Sequence, residues 1–131
     1  VAYMAGDAST MRSTLMPLVE RGDGGSFTRL LVAGLEGPDQ ALALLGEGVK
    51  IAAERGDAGA YAMCVLVGAR RYVALDRRAD ALVTMSTARV QLAEHAPQLV
   101  AVLDAELFTW RDEWGHDAFA EAEQAAIALL D

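Results

Sequence analysis

Apolar residues recur along this chain at the spacing of a single helix face. Ala41, Leu42, Leu45, Gly48 and Ala52 follow one another at i, i+1, i+4, i+7 and i+11, and Ala81, Leu82, Met85, Ala88 and Leu92 repeat that spacing 40 residues later. A period of about 3.6 residues puts each set on one stripe of an α-helix. A second correspondence runs at 34 residues. Glu20-Arg21-Gly22-Asp23 returns as Glu54-Arg55-Gly56-Asp57, Gly25-Ser26-Phe27 aligns with Gly59-Ala60-Tyr61, and Gly34 aligns with Gly68. The step from 34 to 40 residues implies a first-helix segment about six residues longer in the second copy.

Helix stops separate the stripes. Gly22-Asp23-Gly24-Gly25 and Gly56-Asp57 supply glycine where a helix needs a left-handed C-terminal cap, and Asp57 can then cap the next helix. Gly37-Pro38-Asp39 breaks the pattern and opens a helix on proline. Pro97 and Trp114-Gly115-His116-Asp117 mark further breaks. Seven helices are predicted, over 8–21, 26–35, 38–55, 58–75, 78–95, 98–112 and 117–130. Pro17 falls inside the first and should kink or shorten it. Short connections make successive helices pack antiparallel. The one β-like run, Cys64-Val65-Leu66-Val67, continues into Gly68-Ala69-Arg70-Arg71-Tyr72 without a turn signal and reads as helix. The expected fold is all-α, one domain over residues 1–131.

Composition agrees. The chain is 53% hydrophobic but only 6% aromatic, rich in alanine and leucine and poor in β-branched residues, which favours helix over sheet. Its 131 residues suffice for one core. Nineteen acidic against eleven basic residues give a net charge of −8, so direct nucleic-acid binding is not expected. No basic amphipathic helix seeks anionic lipid. The longest apolar run, Ala60 to Ala69, is too short to span a membrane and is followed by Arg70-Arg71. No signal-peptide pattern is present. A single cysteine, Cys64, cannot form an internal disulfide, which points to a reducing, cytoplasmic setting. The chain opens on Val1 rather than methionine, so a segment of a longer protein, or a chain that has lost its start, is expected.

The repeat resembles the tetratricopeptide (TPR) family. Val65, Gly68, Ala69 and Tyr72 stand at the spacing of the family's first-helix positions, and Ala81, Met85 and Ala88 at that of the second. Small residues let helix axes approach, while Tyr72 and Met85 supply bulk. Pro97 falls about four residues later than the family proline, so the second helix is elongated, as in the MalT-like repeats of large bacterial transcription regulators. In the first repeat Arg29 replaces a small residue and Gly48 replaces alanine. In the third, only the stripe Phe119, Ala122, Ala126, Leu129 follows the outline. The resemblance covers residues 20–131. It implies antiparallel helical hairpins stacked as a right-handed superhelix, with a groove that binds protein or peptide. Carried onto the best-matched repeat, the groove positions are Met63, Leu66, Arg70 and Val73, with Arg70 able to grip a carboxylate by two parallel hydrogen bonds.

Other candidate chemistry gives way to simpler readings. The triplets Arg21-Gly22-Asp23 and Arg55-Gly56-Asp57 are better explained as helix caps that recur with the repeat than as adhesion motifs. Glu113-x-x-His116 is half of a di-iron motif whose second half is missing, so no metal site is expected. Cys64 lies in an apolar run far in sequence from either histidine, and is expected to be buried and inert. His95 in a last helical turn suits the helix dipole. Trp110 and Trp114, four apart, share a helix face and form either core packing, the preferred reading, or an aromatic ligand platform. No nucleophile, base and orienting group can be assembled, so neither an enzyme nor a cofactor is expected. Three functions are therefore carried forward: a protein- or peptide-binding module of a bacterial regulator, a self-association module, and a small-molecule sensor with an apolar pocket near the tryptophans.

Overall fold

The structure, a computed structural model, describes residues 8–130; the domain expected over 1–131 runs beyond them at both ends, and residues 1–7 and Asp131 lie outside the described residues. Among the described residues there are seven α-helices and no strand: α1 (Ala8–Glu20), α2 (Ser26–Ala33), α3 (Pro38–Arg55), α4 (Ala58–Ala74), α5 (Arg78–His95), α6 (Val100–Trp114) and α7 (His116–Leu130), with a 3-10 turn at Pro97–Leu99. α3 and α5 have the expected bounds. α6 starts at Val100 instead of 98 and runs to Trp114 instead of 112, because Pro97 begins a separate tight turn and Gly115, at φ +88°, alone reverses the chain into α7. Pro17 lies inside α1, which continues past it to Glu20.

Three helices end in the same way. After α1, Gly22 donates to Val19 O and Asp23 to Leu18 O; after α3, Gly56 donates to Ala53 O and Asp57 to Ala52 O; after α4, Asp76 donates to Val73 O and Arg77 to Tyr72 O. This is the Schellman pairing, which satisfies two orphan carbonyls with one left-handed residue. Gly22 and Gly56 take that conformation at φ +77° and +67°, and Asp76 takes it at +59° without being glycine. The two Arg-Gly-Asp triplets are thus built into helix caps. Asp57 goes on to cap α4, its carboxylate accepting from Ala60 N–H at 3.0 Å.

α3 packs on both α2 and α4, and α4 on α5. The last hairpin differs: α5 lies mainly against α7, not α6, while the Pro97–Leu99 turn sits against α4 and α5. Two apolar clusters result. Val32, Ala33, Ala41, Leu44 and Leu45 tie α2 to α3, with Leu15, Met16 and Val19 of α1 laid on them. The larger cluster joins α4, α5, α6 and α7 through residues such as Ala69, Ala81, Met85, Ala88, Leu103, Trp110 and Phe119. Ala69 of α4 and Ala81 of α5 are completely buried in it.

Arg29 and Gly48, the two misfits of the first repeat, belong together. Arg29 is only 3% exposed. Its guanidinium donates to Asp23 O at 2.9 Å, to Gly25 O at 3.3 Å and to Glu47 Oε2 at 3.1 Å, so a charge that would be costly alone is paired and hydrogen-bonded. Beside it Ser26 Oγ donates to Gly48 O at 2.8 Å. A Cβ at Gly48 would fall 2.9 Å from Cys64 Sγ and 3.5 Å from Ser26 O, so glycine is what lets α2, α3 and α4 meet there.

Candidate functional site

Two clefts flank α4, one shared with α2 and one shared with α6. The first, between α2 and α4, encloses about 320 Å³ and is walled by Phe27, Leu30, Ala60 and Met63. The second, between α4 and α6, is a shallow, open depression of about 500 Å³ over Leu66, Val102, Ala105 and Thr109. Helical spacing explains the alignment on α4: residues 63, 66 and 70 fall within one stripe, since neighbours on a helix face are three or four apart. Phe27 is 67% exposed, Met63 48% and Val102 44%, so each helix of the row presents a large apolar side chain to solvent.

One charged link crosses the second cleft. Arg70 Nε donates to Glu106 Oε2 at 2.8 Å and Arg70 Nη2 to Glu106 Oε1 at 2.9 Å. The fork geometry matches a carboxylate and is the stronger kind of ion pair. The bond from Arg70 holds the Glu106 carboxyl below its usual range, and the same bond raises the Arg70 guanidinium further. Arg70 does grip a carboxylate in two prongs, and that carboxylate belongs to its own chain.

The four expected groove residues divide. Met63 lines the α2–α4 cleft, and Leu66 and Arg70 line the α4–α6 cleft. Val73 is partly buried against the larger core cluster and lines neither. Sequence reasoning missed Phe27 and Leu30 of α2 and Val102 and Glu106 of α6. The usable signal was an apolar residue on the polar side of a helical stripe, visible at Phe27 and Val102 but not separable from ordinary surface scatter.

The tryptophans are engaged within the chain. Trp110 is buried and stacks on half-buried Trp114, centroids 5.4 Å apart and planes within 11°. Trp114 meets Phe119 of α7 at 5.7 Å, and the Arg78 guanidinium of α5 lies 4.5 Å over the Trp114 ring. Arg111 covers Phe119 at 4.7 Å. This ladder joins α5, α6 and α7, with each ring contact worth about 0.5–1.5 kcal/mol beyond its area. Cys64 is buried, and its thiol is pushed up by burial and secondarily by Asp57. Among the described residues no three His, Cys, Asp or Glu side chains gather as a metal site would require. No described helix is long and apolar enough to cross a membrane.

Comparison with protein-family models, with curated proteins and with solved structures finds no match for this chain.

Proposed function

We propose that the chain is a TPR-like stack of helical hairpins, a right-handed superhelix that binds a protein or peptide across the α2–α4–α6 face, within a bacterial transcription regulator in the cytoplasm. The observation that carries the binding role is the row of Phe27, Met63 and Val102, one exposed apolar side chain per helix, set over two clefts. Large apolar side chains exposed beside clefts on a chain of net charge −8 have a use when a partner covers them. The Arg70–Glu106 fork crosses the α4–α6 cleft and offers the remaining edges of both groups to polar atoms of that partner. The TPR-like arrangement rests on the 34/40-residue repeat and on the alternation of α2, α4 and α6 with α3 and α5; the regulator context rests on the elongated repeat alone.

The test is peptide selection from a displayed library, followed by affinity measurement on variants. Met63→Asp with Val102→Asp should abolish binding while helicity and melting temperature stay unchanged. Val90→Asp, which changes an exposed apolar residue on α5, should leave affinity as it was. Equal loss from both changes would refute the α2–α4–α6 face.

A specific observation favours a second reading, self-association through the last hairpin. Phe108, Ile127, Leu129 and Leu130 are all more than half exposed on α6 and α7. Light scattering over a concentration series decides it: a strict monomer rejects this reading and leaves the first intact.

A further inference from the structure

The net charge of the described chain is gathered at one end. Residues 8–99 hold ten acidic and ten basic side chains, while residues 100–130, the α6–α7 hairpin, hold seven acidic and one basic. Two of those seven are neutralised within the fold, Glu106 by Arg70 at 2.8 Å and Asp104 by Arg89 at 2.7 Å. The other five, Asp112, Glu113, Asp117, Glu121 and Glu123, are exposed and make no ion pair among the described residues. The hairpin's own arginine, Arg111, is laid over the Phe119 ring, and Arg78 of α5 over Trp114. His116 is the one further titratable base there. Asp112 and Glu113 stand in the last turn of α6, where the partial negative charge of the helix end disfavours an anion.

The same hairpin leaves large apolar side chains uncovered. Phe108 is 71% exposed, and Ile127, Leu129 and Leu130 are each more than half exposed. None of them lines either cleft beside α4. Phe108 and Val102 are six residues apart, which sets them about 120° apart around α6. Helical spacing puts carboxylates among the apolar residues. Phe108 and Asp112 are four apart on α6, and Glu123, Ile127 and Leu130 follow at i, i+4 and i+7 on α7, so each stripe carries both kinds of group.

We propose that the outer face of the α6–α7 hairpin docks a basic, amphipathic segment of another protein, one that carries lysine or arginine beside large apolar residues. Charge selects the occupant. A second copy of this chain brings either a like-charged hairpin or a remainder in which acids and bases balance and six of the ten bases are already in ion pairs. Self-association through this hairpin would use the same apolar residues, and repulsion between two acidic hairpins opposes it. Nucleic acid and anionic lipid are repelled by the same carboxylates. A basic segment is favoured at both kinds of position: its apolar residues cover Phe108 and Ile127, and its cations meet carboxylates that have no partner. Burial of the apolar anchors supplies the affinity, and the charges supply partner choice and association rate. This surface is separate from the α2–α4–α6 face, so neither proposal rests on the other.

The experiment uses the whole chain and a synthetic peptide of leucine and lysine, compared with the same peptide carrying glutamate for lysine and with one carrying serine for leucine. Fluorescence anisotropy gives the affinity at low and at physiological salt. The leucine–lysine peptide should bind saturably and weaken about fivefold as salt rises. The serine–lysine peptide should bind about tenfold more weakly, and the glutamate peptide should not bind. Methyl resonances of Ile127, Leu129 and Leu130 should shift on titration while those of Met63 and Val90 stay still. Phe108→Ser with Ile127→Ser should lower affinity about tenfold and leave the helical spectrum and melting temperature unchanged, since both side chains are exposed. Asp112→Asn with Glu121→Gln and Glu123→Gln should lower affinity about fivefold at low salt. Glu20→Gln with Glu54→Gln and Glu94→Gln removes as much charge elsewhere on the exposed surface and should not. Equal loss in the two triple variants, binding of the glutamate peptide, shifts centred on Met63, or dimers in which the α7 methyl groups shift without peptide would each overturn the proposal.

Discussion

A methyl group placed on Gly48 would stand 2.9 Å from the sulfur of Cys64, the closest approach between α3 and α4 that a glycine permits in this fold. Gly48→Ala should therefore destabilise the chain by about 1–3 kcal/mol, the usual cost of overpacking, although alanine is the better helix former. Adding Cys64→Ala should return part of that loss, because the sulfur is what the methyl meets. Urea unfolding of the two single variants and the double variant measures the coupling. Additive losses would disprove the contact.

Arg29 closes the turn between α1 and α2. Arg29→Met should cost about 1.5–3 kcal/mol, since the carbonyls of Asp23 and Gly25 lose a charged donor. Arg29→Lys should recover little, because an ammonium cannot reproduce the fork. Thermal melts of both variants would show whether the geometry or merely the charge matters.

The left-handed caps make opposite predictions. Asp76→Gly should stabilise by about 0.5–1 kcal/mol, because Asp76 holds φ +59° where glycine is unstrained. Gly56→Ala should destabilise by about 1–2 kcal/mol for the converse reason. Denaturant midpoints of the pair check both signs at once.

The Arg70–Glu106 fork predicts a pH dependence. The carboxyl of Glu106 is lower in the folded chain than in the unfolded one. Its contribution is therefore present above the unfolded carboxylate value of about 4.3 and is lost as pH falls through the folded value. Arg70 is half exposed, so screening keeps the amount below about 1 kcal/mol. Between pH 5 and pH 3 the wild-type chain should lose more stability than Arg70→Met, and the two should converge at the acidic end. Parallel curves would show that the pair contributes nothing.

Much of the helical plan was legible because its causes are local. The caps after α1 and α3 could be read from Gly22 and Gly56, and the start of α3 from Pro38. The cap after α4 was not legible, since Asp76 carries no mark of a left-handed residue; the surrounding helices impose it. The start of α6 was misplaced by two residues for a related reason: Pro97 signals a break but not whether a helix or a tight turn follows. At the candidate site, the family resemblance pointed to Met63, Leu66 and Arg70, and helical spacing sets these three on one stripe of α4. It could not supply Glu106, which lies 36 residues away and reaches Arg70 only because α6 is laid beside α4. Phe27 and Tyr61, equivalent in the 34-residue repeat, line different clefts.

What the sequence by itself determined is the set of helices, their caps and the stripes that must be buried, since hydrogen bonding within a helix and the period of its faces depend on neighbours three or four residues away. Tertiary structure alone decided that α5 lies against α7, that Arg29 and Gly48 complement each other, and that Arg70 meets Glu106. Those outcomes depend on which helices come within a few ångströms of one another, and side-chain volume and close approach settle that only when the whole chain has packed.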